Sequence, residues 1–268
     1  MIKRMALHST SSKLYSKVGW HCLPGLALIL IAVISAFPQE STDRANEVER
    51  LMSTAKAAQE EGHYDDAIRA YRQVVALSKE SPKNAALAYF NAGTIYLQFK
   101  KYDDAANAFQ KSIQLEPNSA EANNNLGEAL ASLKKYSQAV AAFQRAIALD
   151  RSLLIAQFNM GLAYGQMGQL KYAEFVYKIL IRDHPDYGLG YDGMAVTLAK
   201  SGRAREAIPL HERAISLSPD NPFFYYNLGI SYLVLGNTEK ALEQQEKLRQ
   251  LDSQAASRLA SLIAKHQK

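Results

Sequence analysis

Alanine returns every 34 residues along most of this chain, at Ala105, Ala139, Ala173, Ala207 and Ala241, and 12 residues before each stands Gly93, Gly127, Gly161, Ala195 or Gly229. A fixed period of this length means a stack of supersecondary units, each too small to bury its apolar face without its neighbours. The register gives units 86–119, 120–153, 154–187, 188–221 and 222–255 with no insertion between them. An earlier unit, 48–85, places Ala67 at the alanine position and Tyr71 four residues on. Its loop, carrying Ser81 and Pro82, reads as longer and offsets the register by four residues.

Within the unit that begins at Ala86, the apolar positions Tyr89, Ala92, Gly93 and Tyr96, then Ala105, Ala108, Phe109 and Ile113, fall at spacings of three and four. That is the pattern of two amphipathic helices. Small Gly93 and Ala105 allow the paired backbones to approach, Phe109 fills the space beside them, and Pro117 ends the second helix because its ring clashes and its amide hydrogen is missing. Asp103 and Asp104 suit the positive end of that helix's first turn.

The segment YFNAGTIYLQFKKYDDAANAFQKSIQLEPN resembles a tetratricopeptide repeat at the family's glycine, tyrosine, alanine, phenylalanine and proline positions, and the resemblance extends over 48–255. It departs where Arg151 and Ser253 replace the terminal proline, His211 and Gln245 the aromatic, and Ala195 the glycine. The resemblance implies an all-α, right-handed α-solenoid of about six helical hairpins. A stripe of Ala255, Leu259, Leu262 and Ile263 among Arg258, Lys265 and Lys268 reads as a capping helix over 256–268 that keeps the end of the stack soluble.

Residues 1–36 differ in kind, with Lys3, Arg4, Lys13 and Lys17, no acidic residue, and a continuous apolar run from Leu26 to Ile34. That run fits the apolar core of a signal peptide, and Ala36 offers a small cleavage position. Counted from Val18 to Phe37, the segment is also long enough for an uncleaved N-terminal membrane anchor; a transit peptide is the third reading. Residues 37–47 read as a linker and the start of the first helix. Signal or anchor, the basic flank stays in the cytoplasm and the repeats are delivered to the periplasm or cell envelope. The net charge of +5 belongs to this leader: without its four basic residues, 27 basic face 26 acidic side chains. No clustered basic face remains for nucleic acid, and the one cysteine, Cys22, leaves no disulfide within the chain.

Gly188, Gly190 and Gly193 spell the dinucleotide fingerprint but follow a helix instead of a strand, so they read as a glycine-loosened loop and helix start. The six histidines show no pair at ligand spacing, and the register puts His63, His184 and His211 in turns or on helix surfaces. No Ser, His and acid set converges in the sequence, so the chain reads as non-enzymatic, with no metal and no cofactor.

Two residues before the glycine position stand Asn91, Asn125, Asn159 and Asn227, with Gly193 breaking the series. Asparagine is a poor helix former whose amide both donates and accepts. In tetratricopeptide repeat proteins the first helices line a concave groove, and the resemblance implies that asparagines here run as a ladder along an extended peptide. The alternative is that they belong to the repeat consensus and bond only to neighbouring helices or water. Phe90, Asn124, Phe158, Ile155, Leu189, Tyr226 and Phe223 lie beside the series as further peptide-binding candidates. Four amide contacts at roughly 0.5 to 1.5 kcal/mol each do not offset an association cost of about 4 to 15 kcal/mol, so apolar burial must supply most of the affinity. Leu87, Glu121, Ile155, Leu189 and Phe223 occupy places where carboxylate-clamping family members carry Lys and Arg, which disfavours such a clamp. The expected role is a scaffold for a partly apolar protein or peptide segment; a self-associating module or an accessory subunit of an envelope assembly or secretion complex are the alternatives, and membrane contact is expected only through 18–37.

Overall fold

The computed structural model describes residues 24–79 and 81–266, with side chains from residue 42 onward. The regular elements in these residues are thirteen α-helices. The chain divides into two units, Met1–Glu49 and Arg50–Lys268. In the first unit the described part belongs to α1 (Pro24–Glu60), which runs unbroken through 37–47, expected to be a linker and the start of the first helix. Residues 39–47 contain no proline or glycine to stop it, and the helix continues past Pro38. The leader expected over 1–36 lies outside the residues whose side chains are described; among the described residues no helix is long and apolar enough to cross a membrane.

The second unit is an all-α solenoid. First helices α3 (Pro82–Gln98), α5 (Ala120–Ser132), α7 (Leu154–Gln166), α9 (Gly188–Lys200) and α11 (Pro222–Val234) alternate with second helices α4 (Tyr102–Leu115), α6 (Tyr136–Leu149), α8 (Leu170–Asp183), α10 (Ala204–Leu217) and α12 (Thr238–Leu251). The end of α1 precedes α2 (Tyr64–Leu77) in the same order, and α13 (Ser253–His266) closes the stack. The four-residue offset lies in a helix and not in a loop. Residues 78–81 match the later connections in length, and Pro82, which needs no amide hydrogen at a helix start, opens an α3 that is one turn longer than its counterparts.

Each hairpin closes through a three-residue turn whose middle residue is left-handed: Gly62, Lys100, Lys134, Gly168, Gly202 and Gly236. In every one the next amide bonds back to a carbonyl five residues earlier, as from Lys135 to Leu130 at 2.8 Å and from Gln169 to Tyr164 at 2.9 Å. This double closure satisfies the last carbonyls of the first helix. The repeated alanines Ala67, Ala105, Ala139, Ala173, Ala207 and Ala241 are wholly buried. Beside them Tyr71, Phe109, Phe143 and Tyr177 are buried too, each contributing about 1.5–3 kcal/mol by burial. A Cβ on Gly93 would stand 2.7 Å from the Phe109 ring, one on Gly127 2.5 Å from Phe143 and one on Gly161 2.5 Å from Tyr177, so the small residues exist to seat these rings. In the last unit Gln245 replaces the ring, and Leu259 of α13 fills the space at Gly229 instead. Pro209 lies inside α10 with its ring exposed, and the helix continues on both sides of it.

Candidate functional site: the face of the first helices

Consecutive first helices from α3 to α11 touch one another, and α13 touches α11 in the same way, whereas no contact of that size joins consecutive second helices. The first helices therefore lie on the inner side of the bend and line its groove. Along them runs an apolar column, one residue per unit: Leu87 (48 % exposed), Ile155, half-buried Leu189 and Phe223 (69 % exposed), interrupted by Glu121. A second column, one residue after the small position, holds Thr94, Glu128, Leu162, Val196 and Ile230. Sequence reasoning passed over it, although its 34-residue spacing was equally visible. Leu162 and Val234 add exposed apolar surface. Glu128, Ser132, Asn159, Leu162 and Gln166 line a cleft of about 320 Å³. Partial burial pushes the Glu128 carboxyl above the usual carboxylate range.

The asparagines are half-buried and tied to the fold. Asn91 lies beside the Tyr71 phenol, whose hydroxyl donates to Gln59 Oε1 at 3.1 Å. Asn124, itself buried, donates to Asn125 Oδ1 at 3.1 Å and accepts from Asn159 Nδ2 at 3.4 Å. Asn227 Nδ2 donates to Asp192 Oδ2 at 2.7 Å. Asn159 and Asn227 thus link neighbouring units through partners 35 residues apart. Gly193 breaks the series because a Cβ there would stand 2.5 Å from Tyr177. Of the aromatic candidates, Phe90 and Phe158 turn their rings toward the interior, against Phe109 at 5.8 Å and Tyr177 at 6.0 Å; Tyr226 is half-buried.

One constellation was missed. His211 is not on a helix surface: it occupies the aromatic column of the core and is wholly buried. Its Nδ1 lies 2.7 Å from Asp192 Oδ1 and its Nε2 3.1 Å from Ser231 Oγ, so a Ser, His and acid set does converge. With Asn227 it joins α9, α10 and α11. Ser231 is only 1 % exposed, which closes the hydroxyl off from any substrate, and the set acts as a buried polar cross-link. Burial, with the Asp192 carboxylate nearby, holds the Tyr177 phenol far above its ordinary range. Gly188, Gly190 and Gly193 are all buried within α9, where a Cβ on the first two would approach Ala214 and Leu180 at 3.3 Å; they are packing positions, not a phosphate cradle. His63 and His184 stand in turns, as the register indicated, at the start of α2 and the end of α8, and the His63 side chain makes no capping bond. Among the described residues no group of three or more His, Cys, Asp or Glu is placed to hold a metal ion.

Comparison with known proteins points the same way. No curated protein matches the sequence. Among solved structures the chain is similar to the MamA protein (27% identity, 66% of this chain and 94% of that one, TM-score 0.58). It shares its fold with PilW, a type IV pilus biogenesis factor (24% identity, 81% and 98%, TM-score 0.66), and with a tetratricopeptide repeat protein from Parabacteroides merdae (17% identity, 83% and 87%, TM-score 0.73). Tetratricopeptide repeat profiles match 53–119, 90–153, 155–187 and 198–265. Stacked hairpins, buried small-residue columns and these matches together establish that the chain belongs to the tetratricopeptide repeat family.

Proposed function

We propose that this chain is a non-enzymatic scaffold that holds an extended, partly apolar segment of a partner protein in the groove of its first helices, on the far side of the cytoplasmic membrane. The observation that carries this reading is the exposed apolar column of Leu87, Ile155 and Phe223, repeated at multiples of 34 residues along that groove. An evenly spaced column suits an extended chain, whose burial of apolar area supplies affinity. The asparagines serve as secondary contacts: Asn159 and Asn227 each spend one amide hydrogen within the fold, and the carboxamide has a second hydrogen and an oxygen to offer. The basic, apolar leader supports delivery outside the cytoplasm.

Photoreactive side chains at positions 155 and 223 in living cells are expected to capture one partner through a contiguous segment, and Phe223→Glu to weaken that complex; capture spread over unrelated proteins, unaffected by Phe223→Glu, rejects the groove. Asn125→Ala with Asn159→Ala should weaken binding further, and because it strips buried Asn124 of both side-chain partners it should also lower the helical melt, so binding is compared well below the melt of the variant. A reporter active only after export, fused after Gln39, is expected to be active; an inactive fusion rejects the location.

A further inference from the structure

The outer face of α8 is unlike that of every other second helix in the stack, and the repeat supplies its own controls. Tyr172 is 60 % and Phe175 63 % exposed, and Ile179 continues their ridge one turn on. The positions equivalent to Phe175 hold Asn107, Ala141, Pro209 and Glu243, and those equivalent to Ile179 hold Lys111, Arg145, Arg213 and Lys247. The other four units in register thus place a charge at the Ile179 position, with an amide or a carboxylate at the Phe175 position in two of them and only the small apolar surface of Ala141 or Pro209 in the others. The seam is ordered, because the Tyr172 ring stacks on Tyr164 of α7 at 5.4 Å.

Charge changes with it. By helical period, Lys171, Lys178 and Arg182 lie along one flank of the ridge. The equivalents of Lys178 are Gln110, Gln144, Glu212 and Glu246, and those of Lys171 are Asp103, Ser137, Arg205 and Glu239, so only Arg205 repeats the positive charge. Arg182 is held by Asp183 at 2.6 and 2.9 Å, and the helix's other acid, Glu174, is drawn sideways to Arg203, the residue before α10, at 3.2 Å. The ridge therefore meets solvent beside two lysines.

We infer that the outer face of α8 is a second docking surface, separate from the groove, for an amphipathic helix of another protein whose apolar seam is flanked by carboxylates. A ridge at positions i, i+3 and i+7 matches the seam of such a helix, and Lys171 and Lys178, seven residues apart, match acidic residues one heptad apart on it. An antiparallel second copy would set these lysines against their own counterparts, which like charge opposes.

The test uses the full chain with three probes: a synthetic helix with a leucine seam and glutamate flanks, the same helix with lysine flanks, and vesicles of phosphatidylglycerol and phosphatidylcholine. The glutamate-flanked helix is expected to bind, more weakly as salt rises. Phe175→Glu should weaken it by about tenfold or more, and Lys171→Glu with Lys178→Glu should remove its advantage over the lysine-flanked helix. Because Phe175 is exposed, the helical melt of that variant should not move. Phe223→Glu, which disables the groove, should leave this binding intact. Failure of the glutamate-flanked helix to bind, equal binding of the lysine-flanked helix, or sensitivity to Phe223→Glu overturns the inference. So does vesicle binding that Phe175→Glu abolishes, which would assign the face to lipid, or a concentration-dependent mass increase that it abolishes, which would assign it to a second copy.

Discussion

Gly127 and Gly165 sit on two successive first helices, yet a methyl group would have opposite effects at the two positions. At Gly127 a Cβ would lie 2.5 Å from the buried Phe143 ring, so Gly127→Ala forces the ring or the backbone to shift and should cost about 1–3 kcal/mol. At Gly165 nothing lies within 4 Å and the residue is in the last turn of α7 with no positive φ, so Gly165→Ala should stabilise, by less than the ~1 kcal/mol of an interior helix position. Chemical denaturation of both variants checks the pair; a stabilised Gly127→Ala would mean that the ring is not seated on the backbone. The columns that reveal the fold at this scale were legible because each asks for one physical property, smallness or a large flat ring, at a fixed interval. His211 escaped because a change of residue type within a core column was taken for a change of place. A column occupied by Tyr71, Phe109, Phe143 and Tyr177 is interior whatever stands in it, so the histidine had to be buried and had to find polar partners.

Those partners belong to the scale of the element. Asp192 comes from α9, His211 from α10, Ser231 and Asn227 from α11, and each closes a hydrogen bond that the others leave open. His211→Phe restores the ring typical of the column but strips the buried Asp192 carboxylate of one partner, at an expected cost of about 3 kcal/mol or more. Adding Asp192→Phe places two rings where units two and four already pair Phe90 with Phe109 and Phe158 with Tyr177. The double variant should recover much of the loss, although Asn227 then lacks its acceptor. A double-mutant cycle from urea melts measures the coupling; additive losses would mean that the two residues act separately. The groove was only partly legible for the same reason. The asparagine series could be read off the chain, but its neighbours lie in the preceding units, at Tyr71, Asn124 and Asp192, and a one-dimensional register does not say whether an amide faces inward or outward.

For the molecule as a whole, stability in a stack is approximately the sum of units and the faces between neighbours, so damage should stay local. Leu259 of α13 is wholly buried, fills the space at Gly229, and packs in a cluster with Leu228, Tyr232 and Leu248. Leu259→Ala should cost about 2–5 kcal/mol, with faster amide exchange in α11 to α13 and little change in α3 to α6. Loosening spread evenly from α3 to α13 would argue for a single cooperative block. The two edges of the stack also differ. One edge consists of three-residue turns with a left-handed residue held by two backbone bonds; the other consists of four-residue connections such as 116–119, 184–187 and 218–221. Exposed Asn118, Asp186 and Asp220 on the looser edge are therefore natural attachment points for fluorophores or spin labels. Labels placed there would sit at equivalent points two units and then one unit apart, making the scaffold a molecular yardstick on which stretching or bending under a load could be read.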